Sequence, residues 1–143
     1  MGNSQSIQFI QKINFEDVQT VYRNPEVYVL INTMSENEQG CLIPNTISIT
    51  QEETLINNFV KHNKSARIVI YGKNSNDDKL YKKYKQLMTL GFTNVHAYIG
   101  GMFEWLLLQD IYGFDEFPTT VRQLDFLKYK PGQKLNVGLI RDV

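Results

Sequence analysis

Apolar positions along this chain follow two different periods, and the alternation between them predicts the secondary structure. Continuous apolar runs rich in β-branched residues are typical of strands that are buried on both faces of a sheet. Such runs predict strands at residues 27–31 and 67–71, the alternating segment 46–49 predicts a short strand, and a further strand is predicted at 94–99. Apolar residues spaced three and four apart predict helices at residues 15–23, 50–62, 77–90 and 102–112. Because strands and helices of these lengths alternate, the pattern predicts an α/β domain with a mainly parallel sheet.

Local signals set the predicted boundaries of these elements. Asn14 precedes an acidic first turn, the run Thr50-Gln51-Glu52-Glu53 has the form of a capping box, and Gly91 follows the third helix. The predicted organisation is a flexible segment over residues 1–12, a domain over 13–118 and a C-terminal tail over 119–143. The tail is more polar than the domain, and we expect it to lie over the body of the protein.

Composition excludes several functional classes. The chain has 143 residues, of which 42% are hydrophobic, and this suffices for one domain with its own core. Its 15 basic and 15 acidic residues give a net charge of zero, so no nucleic-acid binding is expected. One cysteine and two separated histidines favour neither a disulfide framework nor a metal site, and no cofactor is predicted. No membrane-spanning run and no signal-peptide pattern are found, so we expect a cytoplasmic protein that is not secreted.

The N-terminus carries a specific signal for lipidation. The run Met1-Gly2-Asn3-Ser4-Gln5-Ser6 matches the pattern that N-myristoyltransferase reads, which predicts acylation of Gly2; the alternative is a chance match. A single myristoyl chain gives only weak and reversible membrane binding. Because Lys12 is the only basic residue among the first twenty, we expect weak peripheral contact with a membrane through the myristate.

Several segments together resemble the rhodanese-like domain family. In chain order they are Leu30-Ile31-Asn32, Ile43-Pro44-Asn45-Thr46-Ile47, the strand at 67–71, Leu90-Gly91-Phe92, Asn94-Val95, Gly100-Gly101 and Trp105. The similarity covers roughly residues 13–112, and it extends to short rhodanese-like proteins of protists and large DNA viruses. It implies a rhodanese-like α/β fold with a mainly parallel, five-stranded sheet flanked by helices.

The same resemblance implies a defect in the active-site loop. Active members of the family place a cysteine directly after the strand, where loop N–H groups and the following helix stabilise a thiolate that accepts sulfane sulfur. The matching position here is Gly72, and the cation expected later in the loop falls at Asp77. With Asp78 beside it, Asp77 would repel an anionic substrate. The degenerate loop, for which no catalytic residue is predicted, comprises Gly72, Lys73, Asn74, Ser75, Asn76 and Asp77.

Other candidate sites have simpler structural interpretations. Cys41 is predicted to be a small, partly buried hydrophobic residue rather than a substitute sulfur acceptor. His62 and His96 are interpreted as structural residues, and Lys73 with Asn74 could line a small polar pocket. Four lysines of the third helix form either a solvated face or a contact with anionic lipid; they are Lys79, Lys82, Lys83 and Lys85.

The last predicted helix is unusually apolar. Such a helix is either buried against the sheet or presents a surface to an unknown protein partner or to a second copy in a homodimer. The candidate partner surface consists of Phe103, Trp105, Leu106, Tyr112, Phe114 and Phe117.

Three functional hypotheses follow from the sequence. The first is a non-catalytic, N-myristoylated rhodanese-like protein that acts as a binding or regulatory module. The second is an atypical sulfurtransferase that uses thiosulfate or a related sulfane-sulfur donor with a degenerate loop. The third is a structural protein of a virion or a membrane compartment.

Overall fold

A four-stranded parallel sheet forms the centre of the protein. The computed structural model describes residues 9–138, and its strands are β1 (Lys12–Ile13), β2 (Tyr28–Asn32), β3 (Arg67–Tyr71) and β4 (Val95–Tyr98). The order across the sheet is β1-β4-β3-β2, and each pairing is parallel. The predicted α/β fold class is therefore confirmed, and β2 and β3 arise from the two continuous apolar runs.

Helices cover the sheet and are held by short polar caps. They are α1 (Phe15–Arg23), α2 (Ile49–His62), α3 (Asp78–Thr89) and α4 (Gly101–Tyr112), with short 3-10 helices at Glu36–Glu38 and Phe126–Tyr129. Asn14 caps α1 as predicted, because its side chain accepts a bond from the Asp17 N–H and the Asp17 carboxylate accepts one from the Asn14 N–H. The capping box predicted at Thr50 is wrong, because Ser48 caps α2 by accepting a bond from the Thr50 N–H.

The strand count differs from the expected five within residues 9–138, where the sheet has four strands. The segment 46–49 forms only a single bridge to Leu30, because α2 already begins at Ile49. At the opposite edge, Lys12 pairs with Ala97, so a strand starts within the segment that was predicted to be flexible.

Alternate residues of β3 serve two hydrophobic clusters. Val69 and Tyr71 pack in one cluster with residues of α1 and α4, whereas Ile68 and Ile70 pack in the other with residues of α2 and α3. Successive side chains of a strand point to opposite faces, so both faces of this sheet are covered by helices. This arrangement leaves the ends of the strands as the places where loops can build a site.

The partner surface predicted on and after α4 is wrong for its central residues. Trp105, Leu106 and Phe117 are buried, Phe103 and Phe114 are half-buried, and Tyr112 is exposed. Trp105 has no exposed area, its ring centroid lies 5.1 Å from that of Phe117, and its Nε1 donates to the Pro118 carbonyl at 2.8 Å. The apolar side chains of α4 therefore belong chiefly to the core, which is the usual reason for a helix that is apolar on most sides.

The C-terminal segment lies along the body of the domain. The Thr120 N–H donates to the Leu42 carbonyl at 2.8 Å, and the Leu42 N–H donates to Thr120 Oγ1 at 3.1 Å. Further along, Tyr129 is buried in the cluster that contains Trp105. Within residues 9–138, no helix has the length and apolar character needed to cross a membrane.

Candidate functional site

The loop after β3, residues 72–77, lies at the carboxyl edge of the sheet. Ligands of open parallel α/β sheets bind at this edge, because the loops that follow neighbouring strands meet there. Strands β2 and β3 end together: Thr33 follows β2, and its N–H donates to the carbonyl of Tyr71 at 2.9 Å. The parallel register thus brings the segment 33–38 against the loop.

The carboxylate of Asp77 fills the inside of this loop. Its Oδ2 accepts hydrogen bonds from the Lys73 N–H at 2.9 Å and from Thr33 Oγ1 at 3.3 Å. Its Oδ1 accepts a bond from the Lys79 N–H at 2.9 Å, which caps α3. One side chain therefore binds backbone donors of both the loop and the first turn of the helix, and it supplies the negative charge that these donors favour.

Gly72 is buried beside that carboxylate. A Cβ atom added to Gly72 would overlap Asp77 Oδ2 and would lie 2.8 Å from Thr33 Oγ1. Real Cβ atoms do not approach other heavy atoms so closely, so any side chain at this position requires Asp77 and Thr33 to move. The space next to residue 72 is thus occupied by a carboxylate of the chain itself.

The N-terminus of α4 holds the loop from the other side. The Met102 N–H donates to the Gly72 carbonyl at 3.0 Å, and the Phe103 N–H donates to the Lys73 carbonyl at 2.9 Å. Gly101 permits this approach: its φ is 66°, and a Cβ there would lie 2.6 Å from the Gly72 oxygen. The loop backbone is therefore held by packed secondary structure on both sides.

An ion pair compensates the charge of Lys73. Lys73 Nζ lies 2.7 Å from Glu38 Oε2, and Glu38 is only partly exposed. Burial alone would raise the pKa of Glu38, but hydrogen bonds from Lys73 and Ser35 outweigh it and hold that pKa below its usual value. The loop cation is thus engaged by a carboxylate of the 3-10 helix that follows β2.

Asn74 connects the loop to the C-terminal segment. This residue is 7% exposed, and its Nδ2 donates to the Tyr129 carbonyl at 2.8 Å. Its Oδ1 accepts a bond from the Asn76 N–H at 2.9 Å, whereas Ser75 is exposed at the tip of the loop. Lys73 and Asn74, which were predicted to line a small polar pocket, do line a polar groove, and their side chains are also engaged by bonds within the chain.

A groove of about 720 Å³ lies over the loop. It is bounded by the segment 33–38, the loop and the tail residues 130–134. Carboxylates of Asp77 and Asp78 and the lysines at 79 and 130 line it together. The groove is therefore lined by both positive and negative side chains. Beneath it, backbone N–H groups of the loop and of the start of α3 are already bonded to Asp77.

Cys41 lies outside this loop and is buried. Its thiol donates to the Val121 carbonyl at 3.4 Å, and it packs in the same cluster as Tyr71. Burial raises the pKa of the Cys41 thiol above its usual value, which disfavours the nucleophilic thiolate. A partly buried hydrophobic role was predicted for this residue, and the side chain is in fact 3% exposed.

The remaining predicted residues are dispersed. Lys83 of α3 forms an ion pair with Glu52 of α2, so its charge is compensated within the chain. The other lysines of this helix, Lys79, Lys82 and Lys85, are exposed. His62 is exposed at the end of α2, and His96 is half-buried in β4. Within residues 9–138, no group of three His, Cys, Asp or Glu side chains is placed to hold a metal ion. Gly2, the predicted acylation site, lies outside the described residues.

Sequence patterns missed three residues that shape the loop. Thr33 and Glu38 follow the neighbouring strand, and the rule that parallel strands end at one edge could have indicated them. Tyr129, which is 55 positions from Asn74, has no local signal that would place it there.

Comparisons with known proteins agree with this architecture. The model of the family described as the rhodanese-like domain matches residues 12–108. The BH2092 protein of Bacillus halodurans has 20% identity and a TM-score of 0.56, with 72% of this chain and 74% of that chain covered. The rhodanese-like domain of the Alr3790 protein of Anabaena sp. has 17% identity and a TM-score of 0.56, with 90% and 92% covered.

A thiosulfate sulfurtransferase of Pseudomonas aeruginosa is also similar, at 19% identity and a TM-score of 0.54. The similarity covers 68% of this chain and 19% of that larger protein, and at this identity it shows the fold alone. No curated protein sequence matches the chain significantly. Since the family model matches well over half of the chain, the chain belongs to the rhodanese-like domain family.

Proposed function

We propose that this chain is a non-catalytic rhodanese-like module that acts by binding a partner and is anchored by a myristoyl group on Gly2. One observation carries the proposal: the Asp77 carboxylate fills the space beside Gly72, where the family resemblance puts the sulfur-accepting cysteine. Residue 72 has no nucleophile, and a side chain at this position would have to displace the Asp77 carboxylate.

The hydrogen bonds of the loop support the same proposal. A sulfane-sulfur donor or a phosphate ester is anionic, and it would need the loop N–H groups as hydrogen-bond donors. The N–H groups of Lys73 and Lys79 bind Asp77 instead, and the ammonium of Lys73 binds Glu38. Carboxylates of the chain thus take the positions that a substrate anion would need.

The alternative function, an atypical sulfurtransferase, would have to use the thiol of Cys41. That thiol is buried, its pKa is raised, and its hydrogen bond runs to the backbone of the C-terminal segment. These features favour a packing role for Cys41 over a catalytic one.

Turnover assays test the absence of catalysis. We expect no release of thiocyanate from thiosulfate and cyanide, no turnover of 3-mercaptopyruvate and no hydrolysis of an aryl phosphate, in each case with an active rhodanese or phosphatase as the positive control. The wild-type chain and Cys41→Ser should behave alike. Turnover by the wild type that disappears in Cys41→Ser would contradict the proposal and support the atypical sulfurtransferase.

Fractionation tests the anchor. In a host that expresses N-myristoyltransferase, we expect part of the wild-type chain in the membrane fraction and Gly2→Ala in the soluble fraction, because myristate is the anchor. Mass spectrometry of both chains checks that only the wild type carries the acyl group. Equal distribution of the acylated wild type and Gly2→Ala would contradict the anchoring role. Affinity capture with the same pair then shows whether partner binding requires the acyl group.

A further inference from the structure

The C-terminal segment turns an apolar and basic surface away from the domain. In the 3-10 helix Phe126–Tyr129, Phe126 packs against the core and Tyr129 is buried in it. Residues three apart share a face of a 3-10 helix, so the two residues between them are directed outward. Leu127 is accordingly 55% exposed, Lys128 is exposed, and Leu124 just before the helix is 76% exposed. We call Leu124, Leu127, Lys128 and Lys130 the tail surface.

The segment that carries the tail surface is basic although the whole chain is neutral, and Lys130 also lines the groove that contains Asp77 and Asp78. Residues 119–138 contain four basic residues and one acidic residue, Asp125. Among residues 9–138, no acidic side chain forms an ion pair with Lys128 or Lys130. The hydrogen bond from Asn74 to the Tyr129 carbonyl also holds the segment against the domain, so the backbone that carries the outward side chains is fixed in position.

We propose that the tail surface docks on an anionic lipid membrane. This proposal rests on the proposed myristoyl anchor and supplies the second contact that a single acyl chain requires for stable binding. Leu124 and Leu127 enter the boundary between headgroups and acyl chains, while Lys128 and Lys130 remain among the lipid phosphates and carboxylates. Charge complementarity selects the anionic membrane as the occupant of this surface.

Helix α3 provides a matched comparison within the same chain. It also exposes lysines, among them Lys82 and Lys85, but its Lys83 is engaged by Glu52 of α2. Replacing Lys82 and Lys85 removes the same charge as replacing Lys128 and Lys130. The two double variants therefore separate a contact at the tail surface from a general effect of net charge.

Vesicle sedimentation of the full-length, myristoylated chain tests the proposal. We expect tighter binding to vesicles that contain phosphatidylserine than to pure phosphatidylcholine, with a preference that weakens as salt is raised. Lys128→Gln/Lys130→Gln should lower the affinity for the anionic vesicles by about 25-fold, since each surface lysine contributes about fivefold. Leu124→Ser/Leu127→Ser should lower the affinity for both kinds of vesicle by roughly tenfold or more.

The control and the remaining outcomes decide the result. Lys82→Gln/Lys85→Gln should leave the affinity unchanged, and thermal unfolding should show that all variants fold. The proposal is overturned if the chain shows no preference for phosphatidylserine, or if that preference falls equally in both lysine variants. An absent preference is also the result expected if the tail surface binds a protein instead of a membrane. The unacylated chain Gly2→Ala separates this failure from a failure of the anchor: its residual, lysine-dependent binding to anionic vesicles would support the tail surface even if no acylation were found.

Discussion

Gly72→Cys is expected to leave the chain without sulfurtransferase activity and to destabilise it by about 1–3 kcal/mol. The new Cβ atom overlaps Asp77 Oδ2 and approaches Thr33 Oγ1, so these two hydrogen-bonded side chains must move, and overpacking of this kind typically costs about 1–3 kcal/mol. A thiolate at residue 72 would also lie against the Asp77 carboxylate, and two like charges about 4 Å apart near a protein surface repel by about 4 kcal/mol. Thiocyanate release and urea denaturation measure the two effects.

Two control variants identify the cause of that loss. Gly72→Ala adds the same Cβ without a thiol, so its free energy of unfolding should fall by a similar amount. Combining Gly72→Ala with Asp77→Ala should cost less than the sum of the single changes by about 1–2 kcal/mol, because the overlap is relieved. Strong activity of Gly72→Cys alone would show that the carboxylate does not prevent catalysis, and the proposed function would then lose its main support.

Asp77→Ala is expected to lower the free energy of unfolding by about 2–4 kcal/mol. The change removes the N-cap of α3 and leaves the Lys73 N–H without its acceptor inside the loop. Hydrogen exchange should show faster exchange at the amides of Lys73 and Lys79, because both donate to Asp77. Urea denaturation of the purified variant gives the magnitude.

The neighbouring carboxylate serves as the matched control. Asp78 is exposed in the first turn of α3, so Asp78→Ala should cost only about 0.3–1 kcal/mol through the lost interaction with the helix dipole. Asp77→Asn should lie between the two, because its carbonyl still caps α3 while its amide cannot accept both loop bonds. If Asp77→Ala and Asp78→Ala cost the same, the Asp77 carboxylate does not organise the loop.

The loop of this protein illustrates how one side chain can satisfy the donors of an anion site. Backbone N–H groups at the start of a helix attract negative charge. Here a carboxylate of the same chain accepts their hydrogen bonds, so that no bound anion is needed to satisfy them. The result is a stable loop whose glycine cannot easily be replaced. A binding role at other surfaces, such as the tail surface, is compatible with this closed loop.

Local patterns predicted the secondary structure where the local and tertiary preferences agree. The apolar runs of β2 and β3 and the Asn14 cap of α1 are read correctly, because burial on both faces and side-chain capping depend on neighbouring residues. The N-cap of α2 is misread by two residues, because both Ser48 and Thr50 have hydroxyl side chains that can cap a helix. The identity of a possible capping residue does not show where the preceding segment ends and the helix begins.

Tertiary packing decided whether the apolar helix α4 is buried or exposed to a partner. The composition of that helix is compatible with both a core helix and a partner surface, and only the contacts of Trp105 with Phe117 and Pro118 show that its centre is buried. The short strand β1 depends in the same way on the edge of β4 that it pairs with. Neither partner can be read from the residues of the element itself.

The sequence by itself determined the α/β class, the absence of a cysteine from the loop and the presence of Asp77 at the start of α3, because each depends on residue identity and short-range order. The tertiary structure decided that the Asp77 carboxylate turns into the loop beside Gly72, that Glu38 engages Lys73 and that Tyr129 is bound to Asn74. These contacts join residues that are distant in the chain, and they exist because parallel strands end at one edge and the C-terminal segment packs across it.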